Sequence, residues 1–313
     1  MWKKGEIILA FYINSKKIRP EFKRMVLRKK IIPWLFLLPI LLLHLFVTIG
    51  PSISSIYYSL TDWSGLGTAK FIGIGNFQQL WFNDKSFISA FSHNSIWLFY
   101  CIITFVMALL VASLLAPLKK GGIAIRTVLF IPFVLSSVVT ASIWRNLLNP
   151  DRGIGAQLAK IGIYGLDKAF LGITKTSLFT VFFIDNWHWW VFIMVLLLTA
   201  MQNIPKELYE AARVDGVNRW QEFRYVTLPG IRPTLFFLIL MTGIWTFQTF
   251  DYIWILTYGG PAGSSEVLGT LVLKNAFIRL EAGYAAAIGL TMSLFSGILV
   301  SIFVYLKKKG LEI

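Results

Sequence analysis

The sequence predicts an all-α polytopic membrane protein with six transmembrane helices and both termini in the cytoplasm. Three observations predict it. Of 313 residues, 56% are hydrophobic and only 14% charged, against about 25% charged in soluble domains. The apolar residues gather into runs of about twenty, the length a helix needs to cross hydrocarbon, and none alternates as a barrel strand would. Lysine and arginine are unevenly shared between the two sets of connections, which sets orientation.

Taken in order, the runs are 31–60, 93–115, 125–148, 178–201, 232–256 and 284–306. The first is long enough for its end beyond Gly50-Pro51 to emerge from the bilayer. With the amino terminus inside, the inner segments carry ten basic residues before 31, three at Lys119, Lys120 and Arg126, five between Lys206 and Arg232, and three at Lys307, Lys308 and Lys309. Only nine of the 30 remain for the outer side. Residues 1–30 are too long and too basic for a secretory leader, and no small-residue cleavage site follows. They are read as a cytoplasmic segment that anchors topology and touches anionic lipid. The outer connection 149–176 is rich in glycine and has room for a short helix.

The net charge of +15 does not indicate a nucleic-acid partner, because the basic residues flank apolar runs instead of sharing one face. A single cysteine, Cys101, excludes a disulfide framework and a cysteine metal site. His44, His93 and His188 share no ligand spacing, so no metal is expected, and His44, His93 and Cys101 are read as structural. No paired carboxylates or nucleophile constellation occur at one depth, and an enzyme is not expected.

Ionisable residues inside membrane runs are functional candidates by default. Asp185 and His188 lie three apart in Asp185-Asn-Trp-His-Trp-Trp190 and share a helix face. Asp251 falls near the outer end of the fifth run. Trp187, Trp189 and Trp190 have flat apolar faces that match the C–H faces of pyranoses. Asp185, His188, Trp189 and Asp251 are therefore candidates for a substrate pathway in the outer half of the membrane. Helix packing and interfacial anchoring are the competing roles.

The most informative segment is the inner connection 203–233, which holds four of the fifteen acids. Pro205 suits a first helical turn, and Glu207 and Glu210 sit near the positive end. Ile204, Leu208 and Ala211 or Ala212 fall on one face, and Gly216 is placed to end the helix in a left-handed cap. A second short helix is expected from Asn218 towards Val226, before Leu228-Pro229 leads into the next run. The Ala211-Ala212 pair has little bulk and leaves a smooth patch for close approach by another protein.

The pattern Glu210-Ala211-Ala212, Asp215-Gly216, Phe223, Leu228-Pro229 and Pro233 resembles the EAA loop of bacterial ABC import permeases. Gln248-Thr-Phe-Asp251 through Leu256-Thr-Tyr-Gly-Gly-Pro261, Lys274-Asn-Ala-Phe277 and Gly283-Tyr-Ala-Ala-Ala-Ile288 look like the carbohydrate-uptake type, similar to maltose and glycerol-phosphate permeases. Ser59-Leu-Thr-Asp-Trp63 and Phe71-Ile-Gly-Ile-Gly-Asn-Phe77 fit the same group. The likeness covers residues 31–306 and implies a type I importer transmembrane domain over 31–313, with a core at 93–306 and a coupling loop at 203–230. It implies that Glu210, Ala211, Ala212, Asp215, Gly216, Leu228 and Pro229 contact an ATPase. Implied partners are a second permease, two ATPase subunits and an extracellular sugar-binding lipoprotein or periplasmic protein, at a bacterial plasma membrane.

The chain contains no Gly-Lys dipeptide, hence no phosphate-binding loop, so ATP would be used by partner subunits and no cofactor by this chain. The alternative is a secondary transporter or channel using Asp185, His188 and Asp251. It leaves the 210–229 loop without a purpose.

Overall fold

The computed structural model describes residues 20–118 and 121–309. Most of the basic amino-terminal segment, together with Lys119 and Lys120, lies outside them. The chain divides into two units, Met1–Tyr57 and Tyr58–Ile313.

In the first unit, α1 (Pro20–His44) continues through a π turn at Leu45–Ile49 into α2 (Gly50–Tyr58). Pro51 has no N–H to give back, and its ring would crowd the carbonyl four residues earlier. The helix widens just before it, with the Gly50 N–H bonding the Leu45 carbonyl. Trp34, Phe36 and Phe46 point outward.

The second unit opens with a loop pinned by buried Asn76, whose Nδ2 donates to Ser59 O and Thr61 O at 2.8 Å each. Its other elements are α3 (Gly75–Gln78) and a π turn at Gln79–Asn83. A Cβ on Gly283 would lie 2.2 Å from Thr61 O, so the last helix meets this loop backbone to backbone. That contact explains the glycine in its first turn.

The long helix α4 (Lys85–Leu115) starts eight residues before the apolar run does. Asp84 caps it, accepting from the Ser86 and Phe87 N–H groups. The expected third span, 125–148, is not one straight helix. It is split into α5 (Gly122–Val134) and α6 (Ser137–Leu147), bent by 94°. Leu135 and Ser136 are extended, and the Ser136 hydroxyl caps α6 through the Val139 N–H at 3.4 Å. Pro132 lies one turn before the corner, where it removes one helical hydrogen bond.

The glycine-rich connection forms α7 (Ile154–Lys160), and α8 (Ser177–Gln202) then matches the fourth run within a residue. Next come α9 (Lys206–Val214) and α10 (Arg219–Glu222). The next long helix starts four residues before the expected fifth run at 232. A π turn at Phe223–Thr227 leads directly into α11 (Leu228–Gln248), the wider turn again absorbing a proline. After a break at Thr249 and Phe250 follow α12 (Asp251–Leu256), α13 (Leu268–Leu273), a π turn at Lys274–Ile278 and α14 (Ala282–Lys308).

Among the described residues, five helices are long and apolar enough to cross a membrane, or six when α5 and α6 count as one span. The core is built around α4 and α8. Ala108 and Ala112, fully buried on one face of α4, let α8 approach closely through Val191, Met194 and Leu197. A second cluster joins Trp97, Ala141, Val181, Ile184 and Ile253. The third joins Phe87, Phe247, Leu271 and Ile288.

Candidate functional site

A cavity of about 560 Å³ opens where the breaks in two helices meet the middle of α4 and α8. All four residues proposed for a pathway line it: Asp185, His188 and Trp189 from α8, and Asp251 from the first turn of α12. The α5–α6 corner contributes Leu135, Ser136 and Ser137, and α11 contributes Thr242, Trp245 and Thr246. No lysine or arginine is among the lining residues.

The bent span thus has a local cause and a consequence. Ending α5 at Val134 frees carbonyls, and His188 Nε2 lies 3.3 Å from Phe133 O. The corner also brings Ser137 to Asp251, its hydroxyl donating to Oδ2 at 3.3 Å. Deeper in the wall, the Thr104 hydroxyl donates to Asn186 Oδ1. Cys101 Sγ lies 3.6 Å from Thr246 Oγ1, so Cys101 both packs and lines the cavity. The Thr242 hydroxyl has no partner among the described residues.

Of the three tryptophans in α8, only Trp189 faces the cavity. It packs 4.9 Å from Trp245, centroid to centroid, and 5.5 Å from Phe133. Trp187 stands edge-on to Trp144 at 5.4 Å, and Trp190 packs against the α4–α8 core. Trp97, Trp245 and the 135–137 corner were not legible as site residues. The one available signal for the corner was Pro132 followed by Ser136 inside an apolar run.

The second candidate site, α9, begins after Pro205, which occupies the cap position. Gly216 adopts φ +76°, and two bonds close the helix: Gly216 N–H to Arg213 O at 3.1 Å and Val217 N–H to Ala212 O at 3.0 Å. This is the left-handed termination expected from the sequence. Asn218 then caps α10 in a reciprocal pair with Gln221. Arg213 Nε and Glu222 Oε2, 3.4 Å apart, link the two helices.

The face presented by α9 differs from the expected one. Ile204, Tyr209 and Ala212 turn inward, whereas Leu208 and Ala211 are exposed. The small patch is therefore Ala211 alone, beside Glu210, Leu208 and Val214. Val214 and Trp220 are 87% and 68% exposed, which makes this an apolar surface rimmed by charge. Asp215 and Gly216 are exposed at its end, Leu228 is half-buried and Pro229 exposed. Tyr209 OH reaches Thr227 Oγ1 at 3.1 Å.

Apolar helices around a cavity that carries polar side chains among aromatic ones, with an amphipathic helix at the end of one of them, define a multi-pass membrane transport subunit. The chain belongs to the family described as binding-protein-dependent transport system inner membrane component, whose model matches residues 82–310. It is 38% identical over 269 residues to the probable ABC transporter permease protein YurN of Bacillus subtilis, covering 84% of this chain and 91% of that one. It is 31% identical to the multiple sugar-binding transport system permease protein MsmF of Streptococcus mutans, covering 88% and 95%. The fold is shared with the crystal structure of a bacterial ABC transporter that imports the acidic polysaccharide alginate. There the TM-score is 0.79 at 23% identity, over 92% of this chain and 98% of that one.

Proposed function

We propose that this chain is the membrane-spanning permease subunit of an ATP-driven sugar importer. It forms one wall of the translocation pathway and performs no chemical step itself. A second permease completes the pathway, two ATPase subunits dock beneath it, and an extracellular binding protein delivers the sugar. Both termini lie in the cytoplasm, and residues 31–313 make up the transmembrane domain.

The observation that carries this reading is that a single helix links the two sites. Asp185, His188 and Trp189 on α8 line the cavity, and α9 begins four residues after α8 ends. A rigid α8 transmits displacement of α9 to the cavity wall as a body motion. Glu210, Ala211, Asp215 and Gly216 contact the ATPase. Ala212, Leu228 and Pro229 shape the elbow behind them.

Sugar suits the cavity chemistry. Trp189 and Trp245 offer apolar faces, while Asp185, Asp251 and the unpartnered Thr242 hydroxyl offer hydrogen bonds to ring hydroxyls. A relative named for multiple-sugar transport supports the same class.

The test is reconstitution of the complete complex in liposomes with a panel of labelled oligosaccharides. Uptake should require ATP, the second permease and the loaded binding protein. Uptake by this chain alone along an ion gradient would replace the importer with a secondary transporter that uses Asp185 and Asp251.

A further inference from the structure

A second groove lies on another face of α8 and shares no lining residue with the cavity. It has a volume of about 410 Å³ and runs between α5 and α8. The two helices are antiparallel, so their polar ends coincide. Arg126 and Thr127 of α5 meet Thr199 and Gln202 of α8 at one end. Phe130, Ile131 and Val134 meet Val195 and Leu198 along the rest. From Arg126 to Val134 the groove extends about 12 Å at the helical rise. Ile131 and Val134 are 55% and 73% exposed, whereas Leu198 is buried and forms the floor.

Arg126 is what makes this groove more than an apolar crease. It takes part in neither ion pair among the described residues. Its Nη2 donates to Leu115 O at 3.3 Å. With the Gln202 amide turned oxygen-inward, Nη1 and Nη2 each lie 3.0 Å from that oxygen. Nε is buried and has no partner. These are neutral acceptors, so the guanidinium charge is positioned but not neutralised. In sequence, Lys119 and Lys120 precede the helix.

We infer that this groove binds an anionic phospholipid of the inner leaflet. The phosphate sits against Arg126 with Thr127 and Thr199, and an acyl chain lies over Phe130, Ile131 and Val134. Basic pockets between membrane helices on the cytoplasmic side suit such headgroups. The inference rests on the topology that places the Arg126 end at the inner surface. It does not depend on which solute is carried.

Native mass spectrometry of the purified complex tests it, after exchange into nanodiscs of phosphatidylcholine with or without phosphatidylglycerol. The wild type retains phosphatidylglycerol selectively. Arg126→Gln lowers retention about fivefold, the weight of one basic residue at an anionic surface, and Arg126→Lys keeps most of it. Ile131→Trp fills the groove while leaving the charge, and also loses the lipid. Assembly of each variant is checked by its elution with the ATPase subunits. A benzophenone on Val134→Cys captures lipid. Equal retention of both lipids by the wild type, undiminished retention in both Arg126→Gln and Ile131→Trp, or capture of the second permease in place of lipid would overturn the inference. Binding of inorganic phosphate with equal strength would also overturn it, by showing an anion site with no use for the acyl groove.

Discussion

Asn94 on α4 donates to the Thr246 carbonyl near the end of α11 at 2.6 Å, and the same amide accepts from the Leu268 N–H at 3.0 Å. One fully buried side chain therefore closes the end of one helix and the start of another. The Thr246 carbonyl would otherwise be orphaned by the break at Thr249 and Phe250, and the Leu268 N–H by its place in the first turn of α13.

Asn94→Ala should accordingly destabilise the protein by about 1–3 kcal/mol for each buried group left unpaired. Asn94→Asp keeps the acceptor for Leu268 and loses the donor to Thr246, so it should fall between wild type and alanine in thermal unfolding of the solubilised chain. An alanine variant as stable as wild type would show that the two breaks are held by packing alone.

The cavity gives a labelling prediction. In a Cys101→Ser background, needed because Cys101 itself lines the cavity, single cysteines at Asp251, Asp185 and Trp189 should react with hydrophilic maleimides in the outward-open complex. A cysteine at Trp187, packed on Trp144, should not. Reaction at Trp187 with none at Asp251 and Trp189 would reverse the assignment of faces on α8.

The spans were legible because hydropathy acts over twenty residues and tolerates local detail. Local detail is where the reading departed from the structure. Lys85, Ser86 and Ser92 interrupt the apolar pattern and mask the start of α4 at Lys85, although Asp84 is a good cap in the sequence itself. Leu135 and Ser136 lie in a continuous apolar stretch. Their extended conformation is favoured by partners distant in sequence, His188 at Phe133 O and Asp251 at Ser137. The ionisable half of the site stood out because charge is costly in hydrocarbon. Trp97 and Trp245 did not, because periodicity in an all-apolar helix does not say which face meets a cavity. Ala212, which reads like Ala211, is buried.

Topology is tested by reporter fusions. Fusions after Lys120 and Lys308 should report cytoplasm, and one after Gly162 the exterior, as the excess of inner basic residues requires. A cytoplasmic signal at Gly162 would invert the orientation and place α9 outside, which would end the coupling proposal as well.

The two adjacent alanines of α9 separate docking from folding. Ala211 is exposed beside Glu210, while Ala212 is turned inward with Tyr209 and Ile204. Behind them the packing is tight: a Cβ on Gly230 would lie 2.6 Å from Ile204 Cδ1. A tryptophan at Ala212 therefore overpacks the elbow, at a cost of about 1–3 kcal/mol, and should lower the stability of the isolated chain. A tryptophan at Ala211 meets no part of its own chain that resists it, so the isolated chain should insert and unfold as wild type does. In the assembled complex the order reverses in kind. Ala211→Trp should reduce co-purification of the ATPase subunits or leave them bound with turnover no longer stimulated by loaded binding protein. Gly216→Val strains a backbone held at φ +76° by roughly 1 kcal/mol, and by tilting the end of α9 it should give a weaker form of the same defect. Stability of the isolated chain and stimulated ATPase activity of the complex are the paired measurements. Wild-type assembly and stimulation in both Ala211→Trp and Gly216→Val would remove α9 as the coupling contact, whatever Ala212→Trp does to the fold.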